Sequence, residues 1–338
     1  MIFSHLFIFI FLALSNEKIK YNEDIRIIEE ITSLRYYNFR LTEINQNPKP
    51  RKSLFSKSNF DGTSWLANVD GNKKVFSLSI PGTHETCARF GPQRLQCQDW
   101  TIEEQLLNGV RYLDIRCRHI NDCFMIHHDY VFEELSFGAG VRDVCINFLK
   151  SHPTEFIFMQ IKEEYQSANN TRTFSETMQT YINSYEEYFY LKEDVPTLDQ
   201  VRGKIVILRR FDPVIANQGN LLEFQDNALF TSNTTIVARI QDCYIVPSYS
   251  DRLKKWEMIF QLLMESIQNK DENKLFLNFG SGGSDDCYPY AVAEYTTSLI
   301  GYFLEFTKPN DFVGVILFDY VNTNYDNVIE ILAKRNFN

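Results

Sequence analysis

The chain has 338 residues, 44% of them hydrophobic and 14% aromatic, which suffices for a large buried core and excludes wholesale disorder. Its formal net charge of -10 argues against a nucleic-acid binder, whose affinity comes from neutralising phosphates, and against attraction to strongly anionic membranes. Any membrane contact then has to be local and apolar, or aromatic.

In chain order, the first segment is MIFSHLFIFIFLALS, residues 1–15, an apolar run that closes on small residues before the polar stretch beginning at Asn16. It is short for a membrane span and reads as a signal peptide, with an uncleaved anchor as the alternative. No second apolar run of spanning length follows, so the mature chain is expected to be secreted, extracellular or lumenal. Residues 16–60 are polar and charged, with a short helix expected near Glu23–Leu34 and a linker at NPKPRKS; they carry no chemistry. Residues 61–338 form the expected catalytic domain.

From Trp65 onward, short runs of β-type residues alternate with helical segments such as VRDVCINFLK. The runs are VFSLSI, VRYLDIR, CFMIHH, EFIFMQIK, KIVILRR, ARIQDCYIV, KLFLNFG and FVGVILFDY. That rhythm predicts parallel strands with crossover helices, and their number suits a closed α/β barrel of the (β/α)8 TIM type. His84, Arg116, His128, Lys162, Arg210 and Asp319 each fall at or just beyond the C-terminal end of a run. In such a barrel those ends converge on the face that carries the active site.

The cysteines at 87, 97, 117, 123, 145, 243 and 287 form no C-x-x-C pair, which disfavours zinc and, in a secreted chain, favours disulfides. Cys117 with Cys123 across a hairpin, and Cys87 with Cys97 around a loop, are the candidate pairs; Cys145 is the candidate free thiol. Triplets beginning at Asn169 and Asn233 are compatible with glycosylation. The stretch NFGSGGSDDCYPYAVAEY lacks the ending of a P-loop and reads as a rim loop, with Tyr288 and Tyr290 either facing substrate or a headgroup layer or, equally, scattered exposed aromatics.

Cleaving a phosphodiester with an internal hydroxyl needs a base, an acid and positive charge on the phosphoryl oxygens. Two histidines supply the proton roles, because an imidazole is neutral or charged near physiological pH, and an arginine supplies a forked donor to phosphate.

The blocks LSIPGTHET, GVRYLDIRCR, FMIHHDY and IFMQIKEEY, followed by GKIVILRRF, IQDCY, NFGSGGS and GVILFDYVN, resemble the X-type catalytic domain of phosphatidylinositol-specific phospholipases C, most closely the small secreted bacterial kind. The resemblance spans about Trp65 to Tyr325. It implies an irregular (β/α)8 barrel that cuts phosphatidylinositol, or a glycosylated inositol lipid, into diacylglycerol and an inositol phosphate, often the 1,2-cyclic form. By the same resemblance His84 is the general base, Asp319 orients it, Arg116 binds the phosphate, and His128 is the general acid in preference to its neighbour His127. Asp114, Lys162, Arg210, Asp242 and Tyr244 fall where the family contacts the inositol ring.

Calcium-dependent animal-type relatives carry an acidic pair spaced like Asp114 and Arg116. A guanidinium at the second position implies turnover without a metal or other cofactor. Glu85 stands where the bacterial family usually has Asp, so a weak or inactive lipid-binding pseudoenzyme stays open as a second reading. Another barrel phosphodiesterase, glycerophosphodiesterase-like or sphingomyelinase D-like, is a third. The expected partner is membrane phospholipid at the bilayer surface, with no nucleic acid and no obligate protein.

Overall fold

The computed structural model describes residues 60–338, apart from 324, 326 and 338. The expected signal peptide and helix, and all of the 16–60 segment except Phe60, lie outside those residues. In chain order the strands are β1 Ile80–Thr83, β2 Tyr112–Ile120, β3 Cys123–His128, β4 Val131–Ser136, β5 Ile157–Glu163, β6 Phe189–Tyr190, β7 Ile205–Arg210, β8 Asn220–Leu221, β9 Ala228–Asn233, β10 Val237–Asp242, β11 Lys274–Phe279 and β12 Val315–Phe318. The helices are α1 Ile102–Leu107, α2 Asp143–Ser151, α3 Phe174–Asn183, α4 Leu198–Val201, α5 Arg252–Gln268, α6 Pro289–Phe306 and α7 Val328–Lys334.

Seven of the predicted runs supply the parallel wall, in the order β7-β5-β2-β1-β12-β11-β10. The short β6 and β8 share the outer edge of β7, and β9 lies antiparallel on β10. These wall strands read as nearly continuous apolar runs because one face fills the barrel and the other packs under helices. Alternate residues such as Tyr112, Phe158, Leu208, Ile240, Leu277, Phe279 and Leu317 belong to one buried cluster, the period of two expected of strands sharing an interior. Capping boxes open α1 at Thr101/Glu104 and α3 at Thr173/Glu176.

Closure is irregular. Among the described residues no backbone ladder joins β8 to the β9–β10 hairpin. Instead the Leu221 amide donates to Thr235 Oγ1 at 2.8 Å, and the Glu223 amide donates to Ser232 Oγ at 3.2 Å. Side-chain hydroxyls therefore satisfy backbone groups where a ladder is interrupted.

Three expectations need correction. VFSLSI is a 3-10 turn at Val75–Ser77, and its strand begins only at Ile80. CFMIHH is not a wall strand: β3 folds back antiparallel on the projecting end of β2. Asn121 and Asp122, with φ of 52° and 56°, make that reversal, since both central positions of a tight two-residue hairpin turn of the favoured kind need positive φ. The proposed cysteine pairs are absent as well: all seven cysteines are free. Hairpin register explains one of these results, because Cys117 faces Ile126 while Cys123 faces Ile120. Cys145 is a buried free thiol, as expected.

Below the barrel, Arg111 just before β2 and Glu155 just before β5 form a fully buried pair, with Nη2 2.8 Å from Oε2. Further donors on Arg111 reach the carbonyls of Leu106, Val110 and Gly62, and Glu155 accepts from the Leu66 amide. The pair thereby ties the chain entering the barrel to its floor. Removing one partner strands a buried charge, so Arg111→Met is expected to destabilise the fold by roughly 3–5 kcal/mol, read from the urea midpoint at unchanged slope.

Candidate active site

The strand ends build the site in register. Arg116 on β2 lies opposite Lys162 on β5, and Lys162 lies opposite Arg210 on β7, so three cations form one row on adjacent parallel strands. Across the mouth, β1 pairs with β12 through Thr83 and Phe318, which makes His84 and Asp319 the next residue of each strand. The side-chain amide of Gln98 donates at 2.8 Å to both the His84 and Phe318 carbonyls and clamps these two exits together. His128 ends β3, and the hairpin returns it to the mouth. His84, Arg116, His128, Lys162, Arg210 and Asp319 line one open cleft of about 780 Å³, together with Glu85, Cys97, Glu164, Phe224, Asp242 and Tyr244.

His84, His128, Glu164 and Asp319 share a backbone device. Each is followed by a non-glycine residue at positive φ: Glu85 at 41°, Asp129 at 51°, Tyr165 at 58° and Tyr320 at 46°. Such conformations are sparsely populated and cost on the order of 1–3 kcal/mol each. Here they turn the chain sharply just past the functional side chain.

The two histidines are held differently. His84 Nδ1 lies 2.8 Å from Asp319 Oδ1, so it donates to the carboxylate and leaves Nε2 with a free lone pair. Burial disfavours its imidazolium, but the Asp319 charge and hydrogen bond outweigh this, with help from Glu85 and Asp114, and the pKa is raised. His128 Nδ1 donates to the Leu95 carbonyl at 2.7 Å, which makes Nε2 the nitrogen that exchanges a proton; it lies 3.7 Å from Glu85 Oε1. His127 is buried between Phe132 and Tyr165, away from the cleft lining, and burial with the nearby Arg118 charge lowers its pKa.

Arg116 sits in a cradle of three carboxylates. Its Nε and Nη2 fork onto Asp114 at 2.9 Å each, while Nη1 faces Glu85 at 3.0 Å and Glu164 at 3.2 Å. Asp114 is in turn held by Gln160 Nε2 and by the Glu85 amide. Burial would raise the Asp114 carboxyl, but the guanidinium holds it well below the usual carboxylate range. For Glu85 the balance is reversed: burial dominates, Arg116 and His128 oppose it, and the pKa is raised. Glu85 spans from Arg116 toward His128 despite its extra methylene.

Lys162 Nζ bonds Glu164 Oε2 at 2.9 Å. The Arg210 guanidinium lies 3.4 Å above the Phe224 ring centroid, and burial with the Arg116 charge pushes its pKa down to about 10. Tyr244 donates to Asp226 Oδ1 at 2.8 Å at the rim, and Asp242 ends β10. Nine of the ten residues named from the sequence line one cleft, and the tenth, Asp114, backs Arg116 from behind; the sequence reading missed Glu164, Cys97 and Phe224 in the lining and the Gln98 clamp. Glu164 was findable as the next acidic residue after Lys162 and Glu163. Phe224 carried no sequence signal, since nothing local places it over Arg210.

The family described as phosphatidylinositol-specific phospholipase C, X domain, matches residues 84–211. A 1-phosphatidylinositol phosphodiesterase of Listeria monocytogenes serovar 1/2a is 31% identical over 255 residues, covering 70% of this chain and 74% of the relative. One from Staphylococcus aureus strain Newman is 29% identical over 252 residues, covering 68% and 79%. A variant of the phosphatidylinositol-specific phospholipase C from Staphylococcus aureus superposes with a TM-score of 0.74 at 25% identity, over 82% of this chain and 98% of that one. The Listeria monocytogenes enzyme does so with a TM-score of 0.66 at 27% identity, over 82% and 100%. Shared fold, matched strand-end motifs and extended similarity agree: the chain belongs to the phosphatidylinositol-specific phospholipase C X-domain family.

Proposed function

We propose that the protein cleaves an inositol phospholipid whose ring carries no added phosphate, by intramolecular attack of the 2-hydroxyl on phosphorus. The observation that carries this reading is that two imidazoles, one pinned at Nδ1 by a carboxylate and the other by a neutral carbonyl, stand in one cleft with a buried guanidinium. His84 Nε2 takes the 2-hydroxyl proton as the oxygen bonds to phosphorus, and the Asp319 carboxylate supports the resulting imidazolium. Arg116 stabilises the charge that grows on the phosphoryl oxygens. His128 Nε2 gives its proton to the departing diacylglycerol oxygen, leaving the 1,2-cyclic phosphate. Water attack on that product runs through the same groups in reverse, His128 taking the proton and His84 giving one.

The ring fits among Lys162, Glu164, Arg210 and Asp242, whose alternating charges suit vicinal hydroxyls, with the Tyr244 face at the opening. Asp226, Asp242 and Asp285 also line the cleft and would repel extra ring phosphates, so phosphatidylinositol and glycosylated inositol lipids are the substrate class. The Glu85 bridge to Arg116 and His128 favours catalysis over the pseudoenzyme reading. Turnover needs no metal, because the Arg116 guanidinium, forked on Asp114, takes the position of a bound cation and repels one.

Lipid contact is through aromatic and apolar groups at the rim, where Tyr244, Ile245, Tyr288 and Tyr290 are exposed. No helix among the described residues is long and apolar enough to cross a membrane. Secretion, with residues 1–15 removed, agrees with that N-terminal run and with the exposure of Asn169 and Asn233.

Incubating the chain with phosphatidylinositol vesicles in excess chelator should release diacylglycerol and cyclic inositol phosphate. Activity that vanishes in chelator and returns with calcium refutes the metal-free mechanism. His84→Ala and His128→Ala should each lower turnover by roughly 10²–10⁴-fold with the fold retained by circular dichroism, whereas His127→Ala should alter thermal stability more than turnover. Because Asp319 raises the His84 pKa, loss of that charge lowers it. Asp319→Asn should therefore move the acidic limb of the kcat/KM profile to lower pH while reducing the maximum; an unmoved limb would show that His84 is not the titrating base.

A further inference from the structure

Cys97 lines the cleft and has no part in the proposed reaction. Its backbone is held on two sides, since its amide donates to the Ala88 carbonyl at 2.9 Å and its carbonyl accepts from the Tyr320 amide at 2.7 Å. The thiol is thereby aimed at the catalytic residues, with Sγ 4.0 Å from His128 Nδ1. One ligand atom each from His84, Cys97 and Asp319 lies within 4.8 Å of the other two. Asp319 is 1% exposed, and its Oδ2 has no hydrogen-bond partner. A carboxylate with one buried unpartnered oxygen, an imidazole and a thiol therefore converge on one spot.

We propose that His84, Cys97 and Asp319 form an inhibitory site for a soft divalent cation, of which zinc is the representative. Thiolate and imidazole ligands favour zinc over calcium or magnesium, and three protein ligands leave a fourth position for water or a phosphate oxygen. With zinc bonds of about 2.0–2.3 Å, tetrahedral ligands stand about 3.5 Å apart, so the side chains close on the ion by roughly 1 Å. Binding exchanges the thiol proton for a zinc–sulfur bond, releases that proton to solvent and moves no electrons.

Either ring nitrogen of His84 gives the same outcome. Coordination through Nε2 uses the lone pair that would accept the hydroxyl proton. Coordination through Nδ1 leaves the ring proton on Nε2, which then donates and cannot accept. The cation thus removes the base, and a chelator restores it. This agrees with a reaction that needs no metal.

The consequence for turnover rests on the proposed role of His84, whereas binding does not, and the test separates the two. Full-length protein stripped with chelator is dialysed against zinc alone, its bound zinc is measured, and hydrolysis of phosphatidylinositol vesicles is followed on the same samples. The expected result is one zinc per chain and inhibition that tracks occupancy. Cys97→Ser should weaken zinc binding at least about tenfold, the lower end of what a lost supporting contact costs a metal site. The exposed Cys123 is controlled by Cys123→Ala, which should bind as the unmutated chain does.

Cobalt in place of zinc reads the same point without altering Cys97: the unmutated chain and Cys123→Ala should both show a thiolate-to-cobalt charge-transfer band. No stoichiometric zinc, no such band, or equal affinity in Cys97→Ser overturns the site. Zinc that binds through Cys97 without slowing hydrolysis overturns the inhibition. Cys97-dependent binding in a chain that hydrolyses no inositol lipid supports the site and counts against the enzyme reading instead.

Discussion

A buried guanidinium surrounded by carboxylates organises this protein. Arg116 emerges from β2 inside the barrel mouth, where it is largely buried and water solvates it poorly, and would be costly there without partners. Asp114 takes one edge through two parallel hydrogen bonds, while Glu85 and Glu164 share the other. Each carboxylate arrives by a different route: Asp114 from the same strand, Glu85 from the turn after β1, and Glu164 from the turn after β5. The group proposed to hold phosphate charge is thus also the group that draws three chain segments together.

From that centre the electrostatics of the two histidines follow. Glu85 faces both Arg116 and His128, which couples the guanidinium to the second imidazole. Asp319 hydrogen-bonds His84 and favours its protonated form. A carboxylate and a backbone carbonyl perform the same task on the two rings, fixing which nitrogen is free. The two proposed roles for identical side chains rest on what each Nδ1 meets: a charge for His84, a neutral carbonyl for His128.

The site is stiff at its exits and open above. Gln98, the positive-φ residues after His84, His128 and Asp319, and the β1–β12 register place the side chains within the narrow tolerance that acid–base catalysis demands. The rim, by contrast, presents exposed Tyr244, Ile245, Tyr288 and Tyr290. With a net charge of -10, the chain is poorly matched to an anionic surface, and aromatic contact suits it better.

Much of this was legible in the sequence because barrel strands are apolar runs whose polar residues cluster at one end. Seven wall strands and the placement of nine of the ten candidate residues in one cleft followed from that pattern and from the motif blocks. The sequence suggested a hairpin between Cys117 and Cys123 yet also counted CFMIHH as a wall strand, because a half-buried hairpin strand and a wall strand have the same composition; the positive φ at Asn121 and Asp122 decides for the hairpin. Sequence could not exclude the cysteine pairs, since pairing depends on register and Cβ direction rather than spacing. The His84–Asp319 bond spans 235 positions, and Phe224 over Arg210 and Cys97 beside both histidines have no local signature. By itself the sequence determined which chemical groups were present and at which strand ends they stood. Only the tertiary structure decided which groups touch, because contact is set by the register of strands that lie far apart along the chain.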